Sequence, residues 1–171
     1  LDALVGGHHR DPVAAPRGRP SFRTAVRRGV DGLRIGYSPD LGTFPVDPAV
    51  RAVVGDAVRR FEDAGATVES VEPDLGHPHD ELTDLWVRQA GELYNARVES
   101  FAEAGVDLLG EHRSELTREY LDMVESTRDR TVLDRHADER MRTRVFDGVQ
   151  DVLDDYDLLV TPTVAVPPPE N

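Results

Sequence analysis

Chemistry in this chain has few residues to start from. There is no cysteine and no lysine, so thiol and amine nucleophiles are excluded outright. The serines are Ser21, Ser38, Ser70, Ser100, Ser114 and Ser126, and none sits in the glycine-flanked elbow that exposes a nucleophile; surface or capping roles fit them better. Histidines pair as His8-His9 and His77-Pro78-His79, neither with the helical i, i+4 spacing of a zinc site. His77 and His79 could share a metal with Asp74 or Asp80, but a solvent-exposed proline turn is the reading the spacing favours. His112 and His136 stand alone in helical contexts. Asp154, Asp155 and Asp157 could be read as an acid/base pair, yet in so acidic a chain a solvated helix end accounts for them more simply. What remains is Thr161-Pro162-Thr163, directly after the apolar run in YDLLVTPTVAVPPPE. In α/β sheets ligands gather outside the carboxyl ends of strands. Two hydroxyls there could meet a ligand while the proline fixes the backbone, and a proline-bent exit from the sheet explains the same residues without one. Both readings stand.

The elements that would position this turn are legible. Leu1–Val5 with Gly6-Gly7 reads as the tail of a helix with a glycine stop, and Arg10–Pro20 as an extended connector. Leu33–Tyr37 alternates as a strand, and Gly29-x-x-Gly32-x-x-x-Gly36 runs in the reverse of a phosphate-binding order. Asp47-Pro48 supplies an N-cap and the favoured first helical residue. Behind it Val50, Val53, Val54, Ala57, Val58 and Phe61 recur at helical spacing until Gly65. Thr67–Val71 follows as a β-branched strand, completing a βαβ unit with parallel strands. His79–Ala104 is a long helical pattern with Leu82, Leu85, Trp86, Ala90, Leu93, Tyr94 and Phe101 on its apolar side. Arg113 to about Ser126 is a second such helix. Asp129 to about Asp154 is a third, sealed by Met141, Val145, Val149, Val152 and Leu153. Asp157–Val160 is the closing strand, apolar enough for burial on both faces. The expected fold is α/β, in the order β-α-β-α-α-α-β: a connector over 1–28, the βαβ unit over 29–75, helices over 76–155, and a strand with proline-rich exit over 156–171.

Composition excludes several function classes. The chain has 171 residues, enough for one domain with a core. Its net charge of −13 argues against nucleic acid as a partner, since phosphates need clustered basic residues. No run approaches the ~18 apolar residues of a membrane span, and no signal-peptide pattern opens the chain. A cytoplasmic, soluble domain without metal or other cofactor is the expectation. All 20 basic residues are arginine against 33 acidic ones. A GC-rich genome explains the missing lysines but not the acid excess, which suits a salty cytoplasm where carboxylate repulsion is screened.

Taken together, these pieces resemble the amidase signature family. GLRIGYSPDLGTFPVDPAVRAVVGDAVRRFEDAGATVESVEPDL (Gly32–Leu75) is similar to the family's middle region, where a G-L-R-I-G strand, a D-P-x-V helix and a G-A-x-V strand follow in this order. YDLLVTPTVAVPPP resembles its Y-D-x-L-x-T-P-T segment, and LVGGHHRDP its A-G-x-x-x-x-D-P turn. The wording of Ser38–Pro48 looks closer to general amidases than to the subunit of tRNA-dependent amidotransferases. The resemblance implies hydrolysis of carboxylic amides other than peptides by a Ser–cis-Ser–Lys triad, with backbone amides holding the oxyanion. With no lysine and no glycine-serine signature, it also implies that the triad is not in these residues. The chain then reads as an interior piece of a longer enzyme, giving scaffold and pocket wall around a small-molecule amide, with Thr161, Pro162 and Thr163 lining that pocket. Self-association through open sheet edges is a further expectation. The rival reading is a self-contained, noncatalytic α/β binding or interaction module, with no large exposed apolar patch.

Overall fold

The computed structural model describes Arg10 and residues 21–168. The glycine stop after Leu1–Val5, His8-His9, and all of the Arg10–Pro20 connector but Arg10 lie outside the described residues, as does the end of the proline run. Within the stretch expected to be an extended connector, Phe22–Ala25 forms a short helix, α1. Ser21 caps it: its side chain accepts from the Thr24 amide at 3.3 Å, a local bond available to serine at a helix start.

Arg34–Tyr37 (β1), Pro48–Asp63 (α2) and Thr67–Ser70 (β2) form the βαβ unit, and β1 pairs parallel with β2 from Arg34↔Thr67 to Tyr37↔Ser70. Leu158–Val160 (β3) pairs parallel with the other side of β1, giving the order β2-β1-β3. Strand β1 is therefore central and Ile35 within it fully buried. β3 is an edge, and Leu158 remains 42% exposed. Burial of this strand on both faces, expected from its apolar run, is not what the fold provides: Leu158 is exposed, and Leu159 and Val160 are only half-buried.

Alternation along β1 assigns the layers. The Tyr37 hydroxyl lies 3.8 Å from where a side chain on Gly55 of α2 would begin, so α2 covers the Ile35/Tyr37 face. Gly36 faces the other way, and a Cβ there would come within 3.0 Å of Val71, 3.3 Å of Val152 and 3.4 Å of Tyr156. The missing side chain lets the C-terminal part of a later helix lie against the sheet. That helix is Val132–Asp155 (α5). The sheet is thus sandwiched between α2 and α5.

His79–Glu103 (α3) matches its sequence pattern in length but not in burial. Leu82, Leu85 and Gly91 are buried, whereas Trp86, Leu93 and Phe101 are exposed. Only a narrow strip of the helix is covered, because its main partner, Arg118–Thr127 (α4), crosses it at Gly91. A Cβ on Gly91 would collide with the Met123 carbonyl and the Thr127 side chain, so glycine permits this close approach. Asn95 fastens the crossing, donating to the Val124 carbonyl and to Thr127 Oγ1, both at 2.9 Å. Val53 on α2 is likewise 70% exposed, though its spacing placed it inward.

The second helix expected from Arg113 to Ser126 is broken. Arg113–Glu115 is a 3-10 turn, Leu116 is extended, and α4 starts after Thr117, whose side chain accepts from Tyr120. The third helix begins at Val132 rather than Asp129. Thr131 and Asp134 cap each other's backbone amides reciprocally, which fixes that boundary.

Candidate functional site

At the carboxyl end of the sheet, β1 and β3 leave side by side: the Ser38 amide donates to the Val160 carbonyl at 3.0 Å. Beyond that bond the chains diverge. The β3 exit is tied to the start of α2, where the Asp47 amide donates to the Ala165 carbonyl at 2.8 Å. Between them lies a cavity of ≈ 190 Å³ bordered by Thr161, Pro162, Thr163, Asp40, Leu41 and Phe44. The structure therefore brings the three residues singled out in the sequence to one concave surface, Thr161 and Pro162 half-buried and Thr163 exposed.

Two further cavities adjoin it. One of ≈ 420 Å³ opens between α3 and α5 and is lined chiefly by apolar side chains, among them Leu82, Trp86, Val145 and Phe146. The other, ≈ 460 Å³ and more polar, follows the segment Glu72–Pro78. Leu41 borders all three, and Phe44 borders the Thr161 cavity and the apolar one. Sequence reasoning missed both residues. Asp40-x-Gly42 signals a turn, but nothing in it tells which way the intervening leucine points.

Ser38 is not the surface or capping serine its context suggested. It is fully buried, and among the described residues neither its hydroxyl nor that of Tyr37 has a hydrogen-bond partner. The other chemical candidates disperse. His77 Nδ1 lies 2.9 Å from Glu81 rather than joining Asp74, which pairs with Arg144. Among the described residues no three His, Asp or Glu side chains converge as a metal ion requires. Asp154 accepts from Gln150, and Asp157 accepts from the Arg34 amide at 2.8 Å. These two carboxylates are thus engaged separately at the end of α5 and the start of β3.

The opposite end of the sheet carries its own electrostatic cluster. Tyr156 donates its hydroxyl to Glu69 at 2.5 Å, Arg34 reaches the same carboxylate oxygen at 3.3 Å, and the Arg34 guanidinium stacks 4.8 Å over the Tyr156 ring. The tyrosine hydroxyl, then Arg34, hold the Glu69 carboxyl below its ordinary range, and the same bond to Glu69 raises the Tyr156 phenol above its own. The signs follow from linkage. The Glu69 contribution is full above the ordinary carboxylate range and is lost as pH falls through the depressed value. The Tyr156 contribution is full below the ordinary phenol range and is lost as pH rises through the raised value. Glu69→Gln is expected to flatten both the acid and the alkaline limbs of melting temperature against pH. Unchanged limbs in the variant would show that the contact is not formed.

A family model described as Amidase matches residues 1–171. The chain belongs to the amidase family. Its resemblance at Gly32–Leu75 and Tyr156–Pro169 thereby becomes membership. An acylamidase from Rhodococcus erythropolis is 30% identical over 168 residues, covering 96% of this amidase-family chain and 33% of the acylamidase. One subunit of the glutamyl-tRNA(Gln) amidotransferase of Salinibacter ruber is 37% identical over 71 residues, 42% of this chain and 14% of that protein. A solved bacterial aryl acylamidase of the amidase signature enzymes family superposes with a TM-score of 0.91 at 32% identity, covering 99% of this chain and 34% of that one. The amidase-family chain thus spans about a third of the length of these acylamidases. Its α/β architecture, helix-rich around a small parallel sheet, is that of the family. Among the described residues no helix is long and apolar enough to cross a membrane.

Proposed function

We propose that this chain forms scaffold and substrate-pocket wall of an enzyme that hydrolyses carboxylic amides, with Thr161, Pro162 and Thr163 facing a small-molecule substrate. The observation that carries the reading is the cavity at the carboxyl end of the parallel sheet, bordered by those three residues and sharing Leu41 and Phe44 with the groove between α3 and α5. The general amidase branch fits better than the amidotransferase one, because the acylamidase likeness runs over 96% of the chain and the amidotransferase likeness over 42%. Bond cleavage is assigned to groups outside these residues. The chain has no lysine to act as the family's base, and the serine that follows β1 at this end of the sheet, Ser38, is fully buried.

The 171-residue chain by itself is therefore expected to show no turnover of acetamide or acetanilide above the buffer rate, while the complete gene product cleaves at least one of them. Turnover by the isolated chain, lost on replacing a residue within it, would remove the assignment. A self-contained binding module fits less well, since Trp86 and Phe146 each stand 63% exposed beside an apolar groove. The open outer side of β3 is where a further strand or a second copy of the chain would pair.

A further inference from the structure

A cavity of ≈ 170 Å³ lies where α3, the end of α4 and the start of α5 meet. Its polar lining consists of Glu92, Asn95 and Glu99 on one side and Thr127, Arg128 and Arg135 on the other. It shares no lining residue with the cavities around Leu41, so the proposed amide site makes no use of it. Glu92, Asn95 and Glu99 fall at i, i+3 and i+7, which puts them on one face of α3. The facing wall is basic, and charge is not balanced within either wall. Glu92 pairs with Arg130 at 2.9 Å and Arg135 at 3.3 Å, while Asp138 takes Arg88 and Arg130. That network sets three guanidiniums against two carboxylates, and its surplus positive charge reaches the cavity at Arg135, whose side chain is 61% exposed. Arg128 adds a further guanidinium. Among the described residues neither Arg128 nor Glu99 has an opposite charge within ion-pair distance. The two thus border one small cavity with opposite charge and stand too far apart to pair. Asn95 commits its amide nitrogen to α4, donating to the Val124 carbonyl and Thr127 Oγ1, so the polar atom it has left is its amide oxygen.

We propose that this cavity binds a small dipolar amino acid, with its carboxylate between Arg128 and Arg135 and its ammonium group at Glu99 and the Asn95 amide oxygen. Guanidiniums suit a carboxylate, to which they donate in parallel. A carboxylate with an amide oxygen beside it suits the three donors of an ammonium. A simple anion would answer the basic wall and leave Glu99 facing it. A simple cation would meet the surplus positive charge of Arg128 and Arg135. A molecule carrying both charges answers both walls. Size sets the upper limit: a cavity of about 150 Å³ takes benzene, and ≈ 170 Å³ admits an unbranched amino acid of a few carbons rather than a peptide. Because the walls come from three helices, the ligand binds the folded arrangement and stabilises it by mass action.

The test is the melting temperature of the complete gene product at fixed ionic strength, a readout that does not depend on amide hydrolysis. The probes are glycine, β-alanine and γ-aminobutyrate, with sodium acetate and methylammonium chloride as their single-charge counterparts. At least one amino acid is expected to raise the melting temperature saturably, and neither single-charge probe to match it. Glu99 and Arg128 are exposed, so Glu99→Gln and Arg128→Gln should fold as the parent does. Each is expected to weaken the midpoint about tenfold, the scale of one hydrogen bond to a charged group. An equal response to acetate overturns the proposal in favour of a plain anion site, and an equal response to methylammonium in favour of a cation site. A rise linear in concentration and unchanged in either variant overturns it as a general solute effect. No response to any probe overturns it too, since water or protein beyond these residues then neutralises the two walls.

Discussion

Asp138→Asn is expected to destabilise the fold by about 3–5 kcal/mol, the scale for breaking a buried ion pair from one side. Asp138 is 6% exposed on α5 and serves two arginines from different parts of the chain. Arg88 of α3 donates to Oδ1 through Nε at 3.0 Å and Nη2 at 2.9 Å, and Arg130 donates to Oδ2 at 2.5 Å. Arg130 also pairs with Glu92 of α3 at 2.9 Å, and Glu92 in turn with Arg135 at 3.3 Å. These charged bonds join α5 and its leading loop to α3. Asparagine keeps the shape but leaves two guanidiniums facing each other with one carboxylate fewer. Arg88 would then lose the carboxylate it pairs with, while Arg130 would keep only Glu92. Exposed pairs such as Arg118–Asp122 should matter far less, at about 0–1 kcal/mol. The check is denaturant unfolding of the complete gene product carrying Asp138→Asn, Arg88→Met or both. The double variant should lose less than the sum of the singles. A single-variant loss below about 1 kcal/mol would show that water already reaches the network.

That network could not be read from the sequence, and the reason is physical. Arg88 and Asp138 stand 50 residues apart, in a chain with 33 acidic and 20 basic residues where any pairing is as plausible as another. Local signals fared better. Asp47-Pro48 and Gly65 bound α2 closely, because capping and helix termination are decided within a turn or two of chain. The turn after β3 was legible for a topological reason, since a parallel strand delivers its carboxyl end where the sheet opens. Burial within α3 was not legible. Periodicity shows which side of a helix is apolar but not how much of that side a neighbour covers, so Trp86 and Leu93 looked like core and are exposed. Leu41 was hidden for the opposite reason: its backbone conformation is imposed by Asp40, whose bonds exist only once the turn has closed.

Gly148 is the position where local propensity and tertiary contact make opposite forecasts, so replacing it decides between them. In an exposed helix interior, Gly→Ala should gain up to ~1 kcal/mol by restricting the unfolded chain and favouring helix. Gly148 lies well inside α5 and is buried, and a Cβ there would overlap the carbonyl oxygen of Asp74. That obstacle is backbone, not a flexible side-chain tip. It is also anchored: the Asp74 carboxylate pairs with Arg144 one turn earlier on α5 and accepts from the Gly76 amide at 2.9 Å, and Leu75 beside it is buried. The segment cannot step aside without giving up those bonds. Gly148→Ala is therefore expected to cost about 1–3 kcal/mol despite the helix propensity it adds, and Gly148→Val more, since overpacking against a fixed neighbour grows with side-chain volume. Gly105→Ala is the wrong comparison because its φ is positive, whereas the exposed Asp147→Ala, next along the same helix, controls for surface propensity and should change little. A Gly148→Ala variant that melts higher than the parent would mean that α5 does not lie on the Asp74–Leu75 backbone, and the groove between α3 and α5 would lose that wall with it.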